Sequence, residues 1–115
     1  DPSIYEYDLV YGEGLMSDKA ERILYGQSAM THAMVLTGVD LDGDGHARKW
    51  RVENSWGDKL GDKGFMVMTD AWFDEYVYEV AVSRDYLPEG LVAVLREEPT
   101  VLPPWDPMGA LAAAR

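Results

Sequence analysis

The feature that most constrains this chain is a turn near its middle, Asp42-Gly43-Asp44-Gly45. Asp-Gly pairs between alternating apolar residues are a strong short-range signal for a β-hairpin. A hairpin centred on the first glycine pairs Met34 with Val52 and Leu36 with Trp50, so that apolar side chains oppose one another. Because side chains alternate between the two faces of a strand, we expect these four residues to share one buried face.

The charged residues of the second strand constrain the register of this hairpin. Lys49, Arg51 and Glu53 fall between the apolar positions and point to the opposite face. A slip of one residue would bury all three charges, although a bulge near the loop could shift the pairing.

The same pairing places His32 opposite Asn54 at the open end of the apolar face. The amide oxygen can accept a hydrogen bond from one ring N–H, which leaves the other ring nitrogen free to exchange a proton with a nucleophile. A second interpretation is that His32 is a half-buried sheet histidine satisfied by a polar neighbour. Residue types and spacing leave both interpretations open.

Two short segments, Thr31-His32-Ala33 and Asn54-Ser55-Trp56-Gly57, stand out together with the longer segments 49–57, 68–73, 75–80 and 105–112. The two short segments resemble the His and Asn segments of the papain-like cysteine peptidases. Together, all of these segments resemble one branch of that family, that of bleomycin hydrolase and the bacterial aminopeptidase C enzymes. The likeness extends from about Tyr5 to Ala112, with the motifs in the family's order.

The resemblance implies an α+β fold, namely the mostly antiparallel, barrel-like half of the papain-like fold with short helices. It implies that His32 is the general base and acid partner of a cysteine, that Asn54 orients it, and that Trp56 shields their hydrogen bond from water. In the family the cysteine and the oxyanion-hole glutamine belong to the N-terminal catalytic half. That half is therefore the expected partner, this segment alone is expected to be inactive, and the whole enzyme is expected to be a homohexamer.

The C-terminal stretch from Pro99 to Pro107 is too rich in proline for a regular helix or an interior strand, and we expect it to run extended. In the resembled aminopeptidases this arm lies in the active-site cleft, where its terminal carboxylate marks the place of the substrate's free amine. The family's sequence ends near Ala112, whereas this chain continues to Arg115. Both residues are therefore candidates for anchoring peptide substrates with a free N-terminus.

Composition excludes several other classes of function. A net charge of −11 over 115 residues argues against a nucleic-acid surface, which needs clustered Lys and Arg. The chain has no cysteine, so it holds neither a disulfide nor a thiolate metal site. No run approaches the ~20 apolar residues of a membrane span, and we expect a cytoplasmic protein with no cofactor.

The hairpin loop imitates the start of a calcium-binding loop. An EF-hand counted from Asp40 requires a glutamate at its last ligand position, and this position is Arg51. We therefore expect a polar turn and no metal, with His46 exposed in the loop.

Local patterns predict the remaining elements and two domains. The domains are the catalytic half-domain, 1–98, and the C-terminal arm, 99–115. Ser17 could begin a helix, but it lacks an acid three residues later, so no capping box is expected. The predicted strands are 4–11, 30–39, the strand after the turn, 65–68 and 76–82, and the predicted helices are 17–26, a short turn near 69–75, and 87–98.

Two other functions remain open at this point. The chain could be a free-standing binding or assembly module that kept the half-fold without the nucleophile. The whole protein could alternatively be an endopeptidase of the same fold.

Overall fold

The computed structural model describes residues 7–12 and 18–110, in which short helices accompany one antiparallel sheet. The predicted α+β class is confirmed. The chain divides into two compact units, 1–77 and 78–115. The predicted boundary after residue 98 stays a prediction. The longest described helix has seven residues, and no helix in the described ranges is long and apolar enough to cross a bilayer.

The sheet lies in the first unit and consists of three strands in the order β1-β2-β3. They are β1 (Val35–Leu41), β2 (Ala47–Glu53) and β3 (Phe65–Thr69), and both pairings are antiparallel. The β1–β2 turn is the predicted Asp-Gly hairpin, in which the Asp42 N–H donates to the His46 carbonyl at 2.9 Å. The strong local turn signal was therefore sufficient to place this hairpin.

The register of the hairpin differs from the predicted one. Leu36 pairs with Val52 rather than Trp50, and Trp50 pairs with Val39. The change is set at the turn, which is centred on Asp44 rather than Gly43: Leu41 already pairs with Ala47 beside it. The two irregularities, between Leu36 and Gly38 and between Asp40 and Leu41, offset each other. Near the open end the slip is two residues, so each side chain keeps its predicted face.

The predicted apolar face is only partly buried. Val52 is 2% exposed and is the one buried apolar side chain in the described parts of the chain. Every residue of β1 is exposed, and the predicted burial of Met34 and Leu36 is wrong, since they are 46% and 36% exposed. The reason is what packs on each strand: helix Asp70–Tyr76 lies against β2 and β3, and β3 is mostly half-buried although it is an edge strand like β1.

Helix α3 (Asp70–Tyr76) follows β3 directly and packs against β2. The Thr69 hydroxyl accepts from the Trp72 N–H at 3.3 Å, which confirms the predicted capped turn. The Trp50 indole N–H donates to the Asp70 carboxylate at 2.8 Å, and its ring stacks on Phe73 with centroids 4.8 Å apart. These contacts fix the central strand on its helix side.

Helix α2 (Lys19–Leu24) begins with a capping box, contrary to the sequence-based expectation. The cap is Asp18, whose carboxylate accepts from the Glu21 N–H at 2.8 Å while the Glu21 carboxylate accepts from the Asp18 N–H at 3.2 Å. Counting from Ser17 missed the motif by one residue. Lys19 donates to two carbonyls at the end of α3, and Arg22 forms an ion pair with Glu75.

Two predicted strands are wrong. Residues 7–11 of the first form helix α1 (Tyr7–Tyr11), and 4–6 lie outside the described residues. The second was predicted at 76–82, but Tyr76 ends α3 and residues 77–82 belong to no helix or strand. Alternating aromatic and β-branched residues indicate a half-buried strand only where a neighbouring strand pairs with them.

The second unit consists of short helical segments. They are a 3-10 turn (Arg84–Tyr86), α4 (Glu89–Val94) and α5 (Pro107–Ala110). The predicted helix 87–98 is therefore shortened, and its apolar residues Leu91, Val94 and Leu95 are each more than half exposed. Residues 99–106 form no regular element, as the prolines predicted.

Candidate active site

The structure brings the side chains of His32 and Asn54 into contact. The imidazole Nε2 lies 3.0 Å from the amide Oδ1. Because an amide oxygen only accepts, Nε2 carries the proton of this bond and Nδ1 of the neutral ring holds a lone pair. No residue in the described ranges forms a hydrogen bond with Nδ1. The arrangement can therefore exchange a proton at Nδ1 while the amide holds the ring.

The contact forms just beyond the open end of the hairpin. His32 lies in the irregular segment before β1, and Asn54 is the first residue after β2. The last ladder pair between the two strands is Val35 with Glu53, so the hairpin brings these two segments together.

Trp56 contacts the same imidazole. The two rings lie 4.9 Å apart between centroids with an interplanar angle of 82°, an edge-to-face arrangement. The predicted neighbourhood of His32, Asn54 and Trp56 is therefore present. The indole remains 60% exposed, so it covers the histidine on one side only.

The backbone of Asn54 is held by a loop that sequence reasoning treated only as a connection. The Asn54 N–H donates to the carbonyl of Gly64 at 3.0 Å. Asn54 is 7% exposed, and Gly64 is also buried. The only sequence signal for this bond was the glycine punctuation of residues 57–64.

An open pocket of about 250 Å³ adjoins the asparagine. It lies between the segment that leads into β1 and the segment that leaves β2, and its lining consists of Ala33, Met34, Val35, Glu53, Asn54 and Ser55. Complete small-molecule sites enclose about 300–1,000 Å³. The pocket is therefore below that range and could take only part of a ligand.

A second polar cluster lies at the tip of the hairpin, where ligand atoms of Asp42, Asp44 and His46 fall within 4.8 Å of one another. The Asp42 carboxylate accepts from the backbone N–H groups of His46 and Asp44, each at 2.9 Å. The pKa of Asp42 lies below its usual value, and the hydrogen bond from the His46 N–H is the largest cause. These hydrogen bonds stabilise the turn and explain why the three side chains lie close together. His46 is exposed as predicted.

The two predicted anchoring residues of the arm, Ala112 and Arg115, lie outside the described residues. Before them, the Asp106 carboxylate accepts from the Met108 N–H at 2.8 Å at the start of α5. Trp105 is 81% exposed. The role of the arm stays a prediction.

Comparison with known proteins gives consistent matches along this chain. A family described as the Peptidase C1-like family matches residues 1–109. Human bleomycin hydrolase is 56% identical over 115 residues, covering 97% of this chain and 25% of that protein. Aminopeptidase C of Lactococcus lactis subsp. lactis is 60% identical over 94 residues, covering 82% of this chain and 22% of that protein.

A solved structure gives the same result for the fold. The crystal structure of PepW from Lactobacillus rhamnosis HN001 is 56% identical and superposes with a TM-score of 0.81. The match covers 96% of this chain and 25% of that one. The chain therefore spans about a quarter of the length of the relatives that it matches.

Proposed function

This chain belongs to the Peptidase C1-like family, and from that membership we propose that it is the His- and Asn-bearing portion of a papain-like cysteine aminopeptidase. The observation that carries the proposal is the hydrogen bond between His32 Nε2 and Asn54 Oδ1. The names of the relatives, bleomycin hydrolase and aminopeptidase C, support the choice of activity.

In the proposed reaction, His32 handles the proton and Asn54 holds the imidazole. Nδ1 takes the proton of a cysteine thiol, and the thiolate attacks the carbonyl carbon of the substrate. The imidazolium then gives this proton to the departing amine, and a water molecule hydrolyses the remaining thioester. Trp56 keeps water from one side of the bond that orients the ring.

The nucleophile would come from residues outside this chain, because the chain contains no cysteine. The proposed partner is the N-terminal catalytic half of the same enzyme, which would also supply the oxyanion-hole glutamine. The exposure of β1 supports such a partner: Val35, Val39 and Leu41 are between 46% and 59% exposed. Contiguous apolar surface of this kind is typical of an interaction face.

The proposal extends to substrates and assembly. The substrates are peptides with a free N-terminus, whose ammonium group would pair with the terminal carboxylate of the arm, at Ala112 or Arg115. A carboxylate fixed at one distance from the scissile bond attracts an amine and obstructs longer chains. The whole enzyme would act as a homohexamer in the cytoplasm.

The test is hydrolysis by the full-length protein of paired reporters that differ only in the amino group. We expect a fluorogenic aminoacyl amide to be cleaved, its N-acetylated counterpart to be resistant, and a thiol alkylating agent to abolish activity. Equal cleavage of both reporters would support the endopeptidase instead.

The absence of cysteine from this chain is the observation that favours a non-catalytic assembly module as the second candidate. The intact mass of the native gene product separates the two. A long polypeptide that contains a cysteine-bearing half and cleaves the aminoacyl reporter excludes the module. A short product without activity on either reporter would exclude the peptidase.

A further inference from the structure

We infer that Gly64 is a positioning residue for Asn54: its carbonyl, presented by a backbone conformation that only glycine adopts readily, sets where the asparagine amide meets the imidazole of His32. This inference rests on the proposed function, because it assigns Gly64 a role through the catalytic pair. It adds a residue that touches neither the substrate nor the reacting atoms.

The first step is that Asn54 lies one residue beyond the last pair of the β2–β3 ladder. That ladder ends at Glu53, which pairs with Val35 on one side and Phe65 on the other. The Asn54 N–H donates to the Gly64 carbonyl at 3.0 Å, the position that continues the β2–β3 register into the loop. The direction in which the asparagine leaves the sheet therefore depends on the loop 57–64.

The second step is that the conformation of Gly64 requires glycine. Its φ is +88°, in the left-handed region that other residues occupy only at a cost. A Cβ at this position would lie 3.1 Å from the carbonyl oxygen of Gly57 and 3.9 Å from that of Asn54. A side chain would thus press on the Gly57 end of the segment that carries Asn54 and Trp56, while its distance to the Asn54 carbonyl is an ordinary contact.

The third step is that the loop has little freedom to absorb such a shift. The Gly64 N–H donates to the Leu60 carbonyl at 2.9 Å, and the Phe65 N–H donates to the Asp62 carbonyl at 3.0 Å. Gly61 lies so close to the Phe65 carbonyl that a Cβ there would be 2.2 Å from its oxygen. Displacement at Gly64 should therefore reach Asn54.

The chain offers a matched control at Gly45. Its φ is +89°, nearly the same as that of Gly64, but a Cβ there meets no atom within 4 Å, and it lies at the hairpin tip. Gly64→Ala and Gly45→Ala consequently share the backbone strain of a left-handed alanine. They differ in the close contact and in the bond to Asn54.

The experiment measures kcat, KM and melting temperature for the two variants in the full-length peptidase. We expect Gly64→Ala to lower kcat by about tenfold or more, since misplacing a catalytic group by about 1 Å can cost about 10²-fold. We expect Gly45→Ala to keep the wild-type kcat. If Gly64→Ala folds poorly, Gly64→Asn tolerates a positive φ better and keeps the Cβ contact.

The role through Asn54 is tested by combining Gly64→Ala with Asn54→Ala. Residues that act through one another are non-additive, so the double variant should lose no more kcat than Asn54→Ala alone. The inference would be overturned if the double variant lost the product of the two single losses in kcat, or if Gly64→Ala and Gly45→Ala had equal kcat. Either result would leave the proposed function intact. An unchanged kcat in Asn54→Ala would instead overturn the assigned role of the asparagine, and the inference with it.

Discussion

The two strands of the hairpin hold the two halves of the candidate site in different ways. Asn54 follows β2, whose end is buried: Val52 is 2% and Asn54 7% exposed. His32 precedes β1, in which every residue is exposed. The asparagine is therefore fixed by contacts within this chain, whereas the segment that carries the histidine has an open outer face.

The cause of the difference is what packs against each strand. The central strand has hydrogen-bonded neighbours on both sides and the α3 helix against its tryptophan, while β1 has one neighbour only. An exposed apolar edge strand is a surface for further pairing. The comparison teaches that one residue of the candidate pair is held by contacts within this chain, whereas the segment of the other is left open to contacts from the remainder of the protein.

Removing the histidine should give the largest effect. In the full-length protein we expect His32→Ala to lower kcat by about 10²–10⁴-fold, the usual contribution of general acid–base catalysis. His46→Ala is the matched control, because the second histidine lies exposed at the hairpin tip. A His32→Ala variant with the kcat of His46→Ala would refute the role of the imidazole.

Removing the asparagine should give a smaller effect on kcat. A hydrogen bond to a charged group contributes about 1.5–3 kcal/mol, which corresponds to roughly 10- to 150-fold in rate for Asn54→Ala. Asn54→Gln keeps the amide but lengthens its stem, and should recover little of this loss. Steady-state kinetics on an aminoacyl reporter measure both, and a loss as large as that of His32→Ala would show that the two residues act as one unit.

The two strands can also be compared by stability. Val52→Ala removes buried methyl groups and should lower the free energy of unfolding by about 2 kcal/mol. Val35 is 59% exposed in this chain. If the other half of the full-length protein covers β1, Val35→Ala should lower the free energy of unfolding by about 1 kcal/mol or more. Denaturant unfolding decides this: a change below ~0.5 kcal/mol for Val35→Ala would show that β1 stays in solvent.

The smallest effect should come from the hairpin tip. Hydrogen bonds from the His46 and Asp44 N–H groups lower the pKa of Asp42 in the folded protein. The ionised carboxylate therefore stabilises the fold above the ordinary pKa of 3.8, and this stabilisation is lost as the pH falls through the lowered pKa of the folded state. Asp42→Ala should therefore reduce the melting temperature slightly at pH 6 and less at pH 2. The same reduction at both pH values would mean that the charge is unimportant.

The contact between His32 and Asn54 was predictable from sequence because it depends on a local turn. The Asp-Gly turn located the hairpin and so brought together the segments that carry His32 and Asn54. The register itself was not predictable, because the sequence Asp42-Gly43-Asp44-Gly45 does not distinguish a turn centred on Gly43 from the observed one centred on Asp44. The bond from Asn54 to Gly64 was missed because it joins a strand end to a loop carbonyl.

Burial was the least predictable property. Met34 and Leu36 were expected inside because apolar residues at alternate positions indicate a covered face, and the structure leaves both exposed. Whether an apolar face is covered depends on which polypeptide lies against it, and a strand's own pattern carries no such information. The strand expected at 76–82 was wrong for a related reason, because pairing needs a partner.

The exposed tip of the hairpin has a practical consequence. The ladder from Val35 to Leu41 separates the tip from the histidine by about 20 Å at ~3.3 Å per residue. Lengthening the tip by matched pairs of residues, one on each arm, preserves inward and outward orientation throughout. An epitope or fluorophore spliced between Gly43 and Asp44 should thus report on the full-length protein without disturbing the contact between His32 and Asn54.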